Sequence, residues 1–191
     1  MSNKPILEVE KLNVGYQTKD GEIHAVQDVS FKVFSNEVFG IAGESGCGKS
    51  TLIKAIMRLL PENGKMDAHS IKYKDQKIDR MSENIFRNEV LWAQISLVPQ
   101  SAMNSLNPVY KVGEQIVEAI QAHTSQGKKE ARERVEELFD VVGLQSEFMD
   151  SFPHEFSGGM RQRAMIAMAL ALDPGLIIMD EPTTGLDVLV Q

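Results

Sequence analysis

The 191-residue sequence predicts an α/β fold, on three observations. A short apolar run, Val38 to Ala42, leads into Gly43–Thr51, GESGCGKST, and then into Leu52, Ile53, Ile56, Leu59 and Leu60 at helical spacing, up to Pro61. A second apolar run, Leu176 to Met179, ends in Asp180-Glu181, as a buried parallel strand does when it delivers its last residues to the ligand edge of an open sheet. Between the two, Ser101 to Asp150 has helical periodicity and interrupts the strand-rich text. The expected architecture is a phosphate-loop α/β core with a mainly parallel sheet, an N-terminal antiparallel β lobe and an inserted helical lobe.

Each element has its own signal. Residues 5 to 34 read as strands: Leu7/Val9 and Leu12/Val14 alternate, Asp20-Gly21 supplies a turn, and Val29, Phe31 and Val33 alternate again. Residues 66 to 79 read as a hairpin, with Ile71 and Tyr73 on one arm and Ile78 on the other, around Lys74-Asp75-Gln76. Ile95 to Val98, ended by Pro99, is a second core strand. Val112, Ile116, Val117 and Ile120 share one helical face, and Ala131, Val135, Leu138, Phe139 and Val142 another, with Gly143 as C-cap. The charge run Lys128 to Glu137 is the solvated side of that second helix. Met160 to Leu172 is again helical. The expected organisation is one domain over 1–191, incomplete at its C-terminus, with the β lobe and core in 1–100 and 158–191 and the helical lobe in 101–157.

Composition narrows the class. Hydrophobic residues make up 42% and charged residues 25%, as in folded globular domains, and the net charge of −7 argues against a uniformly basic nucleic-acid surface. Ala164 to Leu172, the longest clean apolar stretch, is too short to span a bilayer, and the first residues lack the apolar core of a signal peptide. A single cysteine fits a reducing compartment. A cytoplasmic location is expected.

The chemistry is concentrated in three places. Gly43, Gly46 and Gly48 let the backbone wrap an anion, so that N–H groups along Gly43, Glu44, Ser45, Gly46, Cys47, Gly48, Lys49, Ser50 and Thr51 meet phosphate oxygens at a helix N-terminus. Lys49 adds a mobile charge for the β- and γ-phosphates, and the Ser50 hydroxyl is placed for Mg²⁺. This is the pattern of a nucleoside triphosphate site. Cys47 reads as a small residue tolerated in the loop, and its place beside a helix N-terminus also makes it a candidate for thiol modification. Asp180-Glu181 alone would read as structural. Beside a phosphate loop, Asp180 can hold Mg²⁺ through water and Glu181 can take a proton from an attacking water. Ser157-Gly158-Gly159 opens a helix with an N-cap serine and offers N–H groups to an anion. In isolation it is an ordinary helix start. A chain with one phosphate loop needs a second cradle only if it reads a neighbour's nucleotide.

These residues resemble the ATPase subunits of ABC transporters, which are P-loop NTPases. GESGCGKST resembles Walker A, Phe156 to Met160 with Arg161-Gln162-Arg163 the ABC signature, Leu176 to Glu181 Walker B, and Gly185-Leu186-Asp187 the D-loop. Gln100, after Leu97-Val98-Pro99, resembles the Q-loop glutamine, and Tyr16 stands where the family places an aromatic that stacks on adenine. Asn104 to Val109, Gly113 to Ile116 and Phe152 to Ser157 are similar to the di- and oligopeptide importer ATPases. The resemblance implies ATP and Mg²⁺ as ligands, with Lys49, Gln100 and Glu181 catalytic and Ser50, Gln100 and Asp180 on the metal. It implies two subunits, identical or paralogous, meeting head-to-tail so that Ser157 to Gly159 of one faces the phosphate loop of the other. Membrane permease subunits would be direct partners and an extracytoplasmic substrate-binding protein an indirect one, with no nucleic acid and a location on the inner face of the cell membrane. Two departures stand out. Phe156 and Met160 replace the consensus Leu and Gln, and none of His24, His69, His123 or His154 is placed as the switch histidine, so the chain reads as truncated at its C-terminus and as a weak hydrolase by itself. The alternative is an ABC-type ATPase acting on DNA or ribosomes.

Overall fold

The computed structural model describes residues 4–100 and 105–181, and the chain divides into two compact units, Met1–Phe86 and Arg87–Gln191. In the first, β1 (Pro5–Thr18) is the hub. It pairs antiparallel along one edge with β2 (Gly21–Phe34), through the expected turn at Asp20-Gly21. Along its other edge it takes β3 (Gly64–Asp67) at Asn13 to Tyr16 and β4 (Ser70–Tyr73) at Leu7 to Glu10. Short β5 (Gln76–Lys77) closes on β4 through Lys74-Asp75. Both turn residues have positive φ, 47° and 67°, as a two-residue hairpin turn matching the strand twist requires. The alternation read in the sequence is the burial pattern: Leu7, Val9, Leu12 and Val14 are all at most 3% exposed.

Glu8 ties three strands together. Its carboxylate accepts from Lys32 on β2 and from Lys72 on β4, the latter at 3.0 Å. Hydrogen bonds from Lys32 and then Lys72 hold Glu8 below the usual carboxylate range, against the opposing cost of burial. A carboxyl whose folded-state pKa is depressed stabilises the fold above its unfolded value, near pH 4.3, and loses that contribution as pH falls through the folded value. Glu8→Gln is therefore expected to lower the urea midpoint at pH 7 and to narrow the gap from the parent below about pH 4. Midpoints that differ equally at pH 7 and pH 3 would contradict it.

Two sequence expectations change in this unit. Val38 to Ala42 forms no strand: Val38 is fully exposed, and Phe39 and Ile41 are 42% and 47% exposed. An apolar run becomes a strand only when a neighbour offers a ladder, and among the described residues none does. Helix α1 (Lys49–Ile56) also stops short of Pro61. Arg58 takes a left-handed φ of 53°, the Leu59 amide donates to the Lys54 carbonyl at 2.7 Å and the Arg58 amide to Ala55 at 3.1 Å, a Schellman closure. The Arg58 guanidinium donates to the Ile78 and Met81 carbonyls and lies 4.6 Å above the Phe86 ring. Those partners come from the segment that follows the hairpin, which includes the single-turn α2 (Glu83–Ile85).

The second unit is helical around one parallel strand pair. β6 (Ile95–Val98) and β7 (Leu176–Met179) pair in register, Ile95 with Leu176 and Val98 with Met179. Between them in sequence come α3 (Val112–His123), α4 (Lys128–Val141) and α5 (Gly158–Leu170). The predicted apolar faces form the core, with Ile116, Ala131, Val135 and Phe139 fully buried beside Ala164 and Ala167 of α5. Gly143 caps α4 as expected, at φ 67°, with its amide on Asp140 and that of Leu144 on Phe139. The parallel part of the described fold is thus one pair, and the antiparallel lobe carries five strands. β7 is half-buried rather than fully buried, and Met179 is 41% exposed.

Candidate functional site

The phosphate loop is built around its own lysine. Gly48 is the N-cap of α1 at φ 98°, and a Cβ there would collide with the Ala25 carbonyl oxygen. Only glycine meets both conditions. Gly48 has no side chain to cap the helix, and α1 has no acidic residue in its first turn. Its first N–H groups and the positive helix end are therefore not neutralised by a local carboxylate. The Lys49 ammonium donates to the Gly43 and Glu44 carbonyls at 2.7 and 2.9 Å and lies 3.8 Å from Cys47 Sγ. These bonds curl Gly43 to Lys49 into a ring with a positive charge inside it. The arrangement fits a chain of phosphates, with backbone donors and an ammonium converging on one side of a helix start.

Tyr16 is held at the same helix. Its backbone pairs with Ile23 of β2 and Gly64 of β3, and its phenol donates to Thr51 Oγ1 at 3.3 Å. Ser50 lies one residue earlier in the first turn of α1. A cleft of about 580 Å³ at the loop has mixed walls, with Val26, Phe31, Phe39 and Leu52 on its apolar side and Gln27 and Ser30 on its polar side. Cys47, Gly48 and Lys49 of the loop line it as well.

In the second unit, the register of β6 and β7 sets the acidic corner. The Asp180 amide donates to the Val98 carbonyl at 3.0 Å, extending the ladder by one step. Glu181 follows at a φ of 49°, and its Oε2 accepts from Gln100 Nε2 at 2.6 Å. Gln100, Asp180 and Glu181 therefore share one sheet edge. Sequence reading names all three but not the direct bond, which depends on register between distant strands.

Ser157 is the N-cap of α5, its hydroxyl accepting from the Met160 amide at 3.2 Å. The turn before it is held by residues that sequence reading missed. Glu155 accepts from the Phe152 amide at 2.6 Å, and the Arg161 guanidinium donates to the Phe156 carbonyl at 2.8 Å. A Glu three residues after a cap, with Pro153 between, was the available signal. Phe156 is 3% exposed, with its ring edge-on to Phe148. The departure from Leu at this position thus keeps a large apolar anchor. The D-loop segment Gly185-Leu186-Asp187 and Asn104 lie outside the described residues.

The sequence matches the ABC transporter family over residues 26–184. The chain belongs to that family. Among curated relatives of this ABC protein, the dipeptide transport ATP-binding protein DppD of Bacillus subtilis is 43% identical over 189 residues, covering 97% of this chain and 56% of that one. The oligopeptide transport ATP-binding protein OppD of Salmonella typhimurium is 45% identical over 188 residues, with 97% and 56% covered. The chain spans a little more than half the length of these relatives. Among solved structures, the dimeric post-hydrolysis state of the ATP-binding cassette MJ0796 bound to ADP and Pi aligns with a TM-score of 0.82 at 26% identity, covering 96% of this chain and 77% of that one. CbiO1 of Clostridium perfringens, part of the ABC transporter complex cbiONQ, aligns at 0.79 and 30%, with 97% and 69% covered. The P-loop NTPase fold and its antiparallel lobe are those of ABC cassettes.

Proposed function

We propose that this chain is the ATP-binding and hydrolysing part of an ABC importer for di- or oligopeptides. The observation that carries the chemistry is the ring of Gly43 to Lys49 around the Lys49 ammonium at a helix start. The peptide class rests on similarity to the dipeptide and oligopeptide transport proteins. In this reading the loop amides and Lys49 hold the phosphates, and Tyr16 stacks on adenine. Ser50, Gln100 and Asp180 offer a hydroxyl, an amide and a carboxylate oxygen, the hard donors that suit Mg²⁺. Among the described residues no cluster of three acidic, histidine or cysteine side chains could hold a metal. A site completed by substrate phosphates fits that donor set. When bound, Mg²⁺ neutralises charge on the phosphates. Glu181 takes the proton from water.

Ser157 to Gly159 would serve the nucleotide of a second, identical or paralogous ATPase subunit placed head-to-tail, a reading supported by the dimeric solved relatives. Residues 101–157 would form the helical lobe that passes nucleotide state to permease subunits at the inner face of the membrane, with a substrate-binding protein engaged through them. No described helix is long and apolar enough to cross a membrane. The relatives' names point to transport rather than to DNA or ribosomes. Titration calorimetry of Mg-ATP into the chain tests the reading at its base: saturable binding is expected, and a folded protein that binds none would overturn it. Co-purification with permease subunits tests the assembly.

A further inference from the structure

Val98 pairs with Met179, and two residues beyond each partner stand Gln100 and Glu181. The strand register therefore brings these two side chains to one place, and the 2.6 Å bond between Gln100 Nε2 and Glu181 Oε2 joins them. A carboxylate has no proton to offer, so the amide must present its N–H₂ end, which leaves its carbonyl oxygen as a separate acceptor. The Glu181 backbone is also set at φ 49°, a region that non-glycine residues rarely occupy. Main chain and side chain of Glu181 are thus both constrained, the second of them by Gln100.

We infer that Gln100 is a positioning residue for Glu181: its amide N–H fixes the rotation of the carboxylate, so that the group that takes the proton is already aimed. The inference rests on the reading of Glu181 as the base. It gives the two ends of one side chain different tasks, the carbonyl oxygen toward the metal and the N–H toward the carboxylate.

A double-substitution cycle tests it, with single-turnover rates measured in the natively assembled ATPase at saturating Mg-ATP. Gln100→Ala is expected to slow the step about tenfold or more, since misaiming a catalytic group can cost up to about a hundredfold, with ATP affinity changed less than about threefold. Gln100→Glu keeps an oxygen for the metal but sets carboxylate against carboxylate, and should lose as much. In a Glu181→Gln background, Gln100→Ala should cost several-fold less than in the parent, because only the metal-facing task of Gln100 is then left to lose. Losses that add fully, or a Gln100→Glu protein of unchanged rate, would overturn the positioning role while leaving Glu181 as the base. Full turnover by Glu181→Gln would instead overturn the base reading. A check independent of catalysis is the Gln100 side-chain amide resonance in the chain itself, which should move on Glu181→Ala. An unmoved resonance would overturn the contact.

Discussion

Glu181→Gln is expected to bind Mg-ATP as the parent does and to hydrolyse it about 10²- to 10⁴-fold more slowly, the usual contribution of a positioned general base. The substitution is nearly isosteric. An amide fills the same space at the end of β7 and still meets Gln100, but it takes no proton from water. The groups proposed to hold the phosphates lie in the loop before α1, in the other compact unit. Affinity and turnover should therefore separate. Phosphate release from the assembled ATPase, measured beside ATP binding by calorimetry, decides the matter. Turnover within threefold of the parent would remove Glu181 from the base role.

Lys49→Ala is expected to act on the other quantity, weakening ATP binding by about tenfold to a hundredfold. Hydrogen bonds to a charged group contribute about 1.5–3 kcal/mol, and tenfold in affinity is about 1.4 kcal/mol. Two losses combine here. The phosphates lose their ammonium, and the loop loses the clamp that joins the Gly43 and Glu44 carbonyls. The second loss is the structural one, because an unclamped loop must be ordered by the ligand at the ligand's expense. Unchanged affinity in a folded Lys49→Ala protein would exclude this site as the phosphate cradle.

What was legible in the sequence is what local chemistry decides. The helix after the phosphate loop, the N-cap at Ser157, the C-cap at Gly143 and the strands at Ile95 and Leu176 all follow from turn glycines, capping hydroxyls and apolar period. Relations between distant segments were not legible. Val38 to Ala42 has strand composition yet no ladder partner, and α1 ends early because Arg58 finds carbonyls and a ring beyond the hairpin. At the site, residue types named Gln100 and Glu181 separately. Only parallel register joined them, and register is a property of two strands at once. Tyr16 on Thr51 is similar, a contact made by the way β1 passes α1.

The β6–β7 pairing also has a kinetic meaning. Gln100 and Glu181 are 81 residues apart in the chain, a loop whose closure entropy is about 4 kcal/mol beyond a constant. β1 and β2, by contrast, close across a tight turn between Thr18 and Gly21. Helices α3 to α5 take up about half of the long loop, and once formed they shorten the search. The acidic corner should therefore be among the last parts to assemble, and pulsed hydrogen exchange should protect the β1–β2 and α4 amides before those of β7. Simultaneous protection would contradict that order. A chain that falters between Val112 and Leu170 would keep the ring of Gly43 to Lys49 and never bring Gln100 to Glu181.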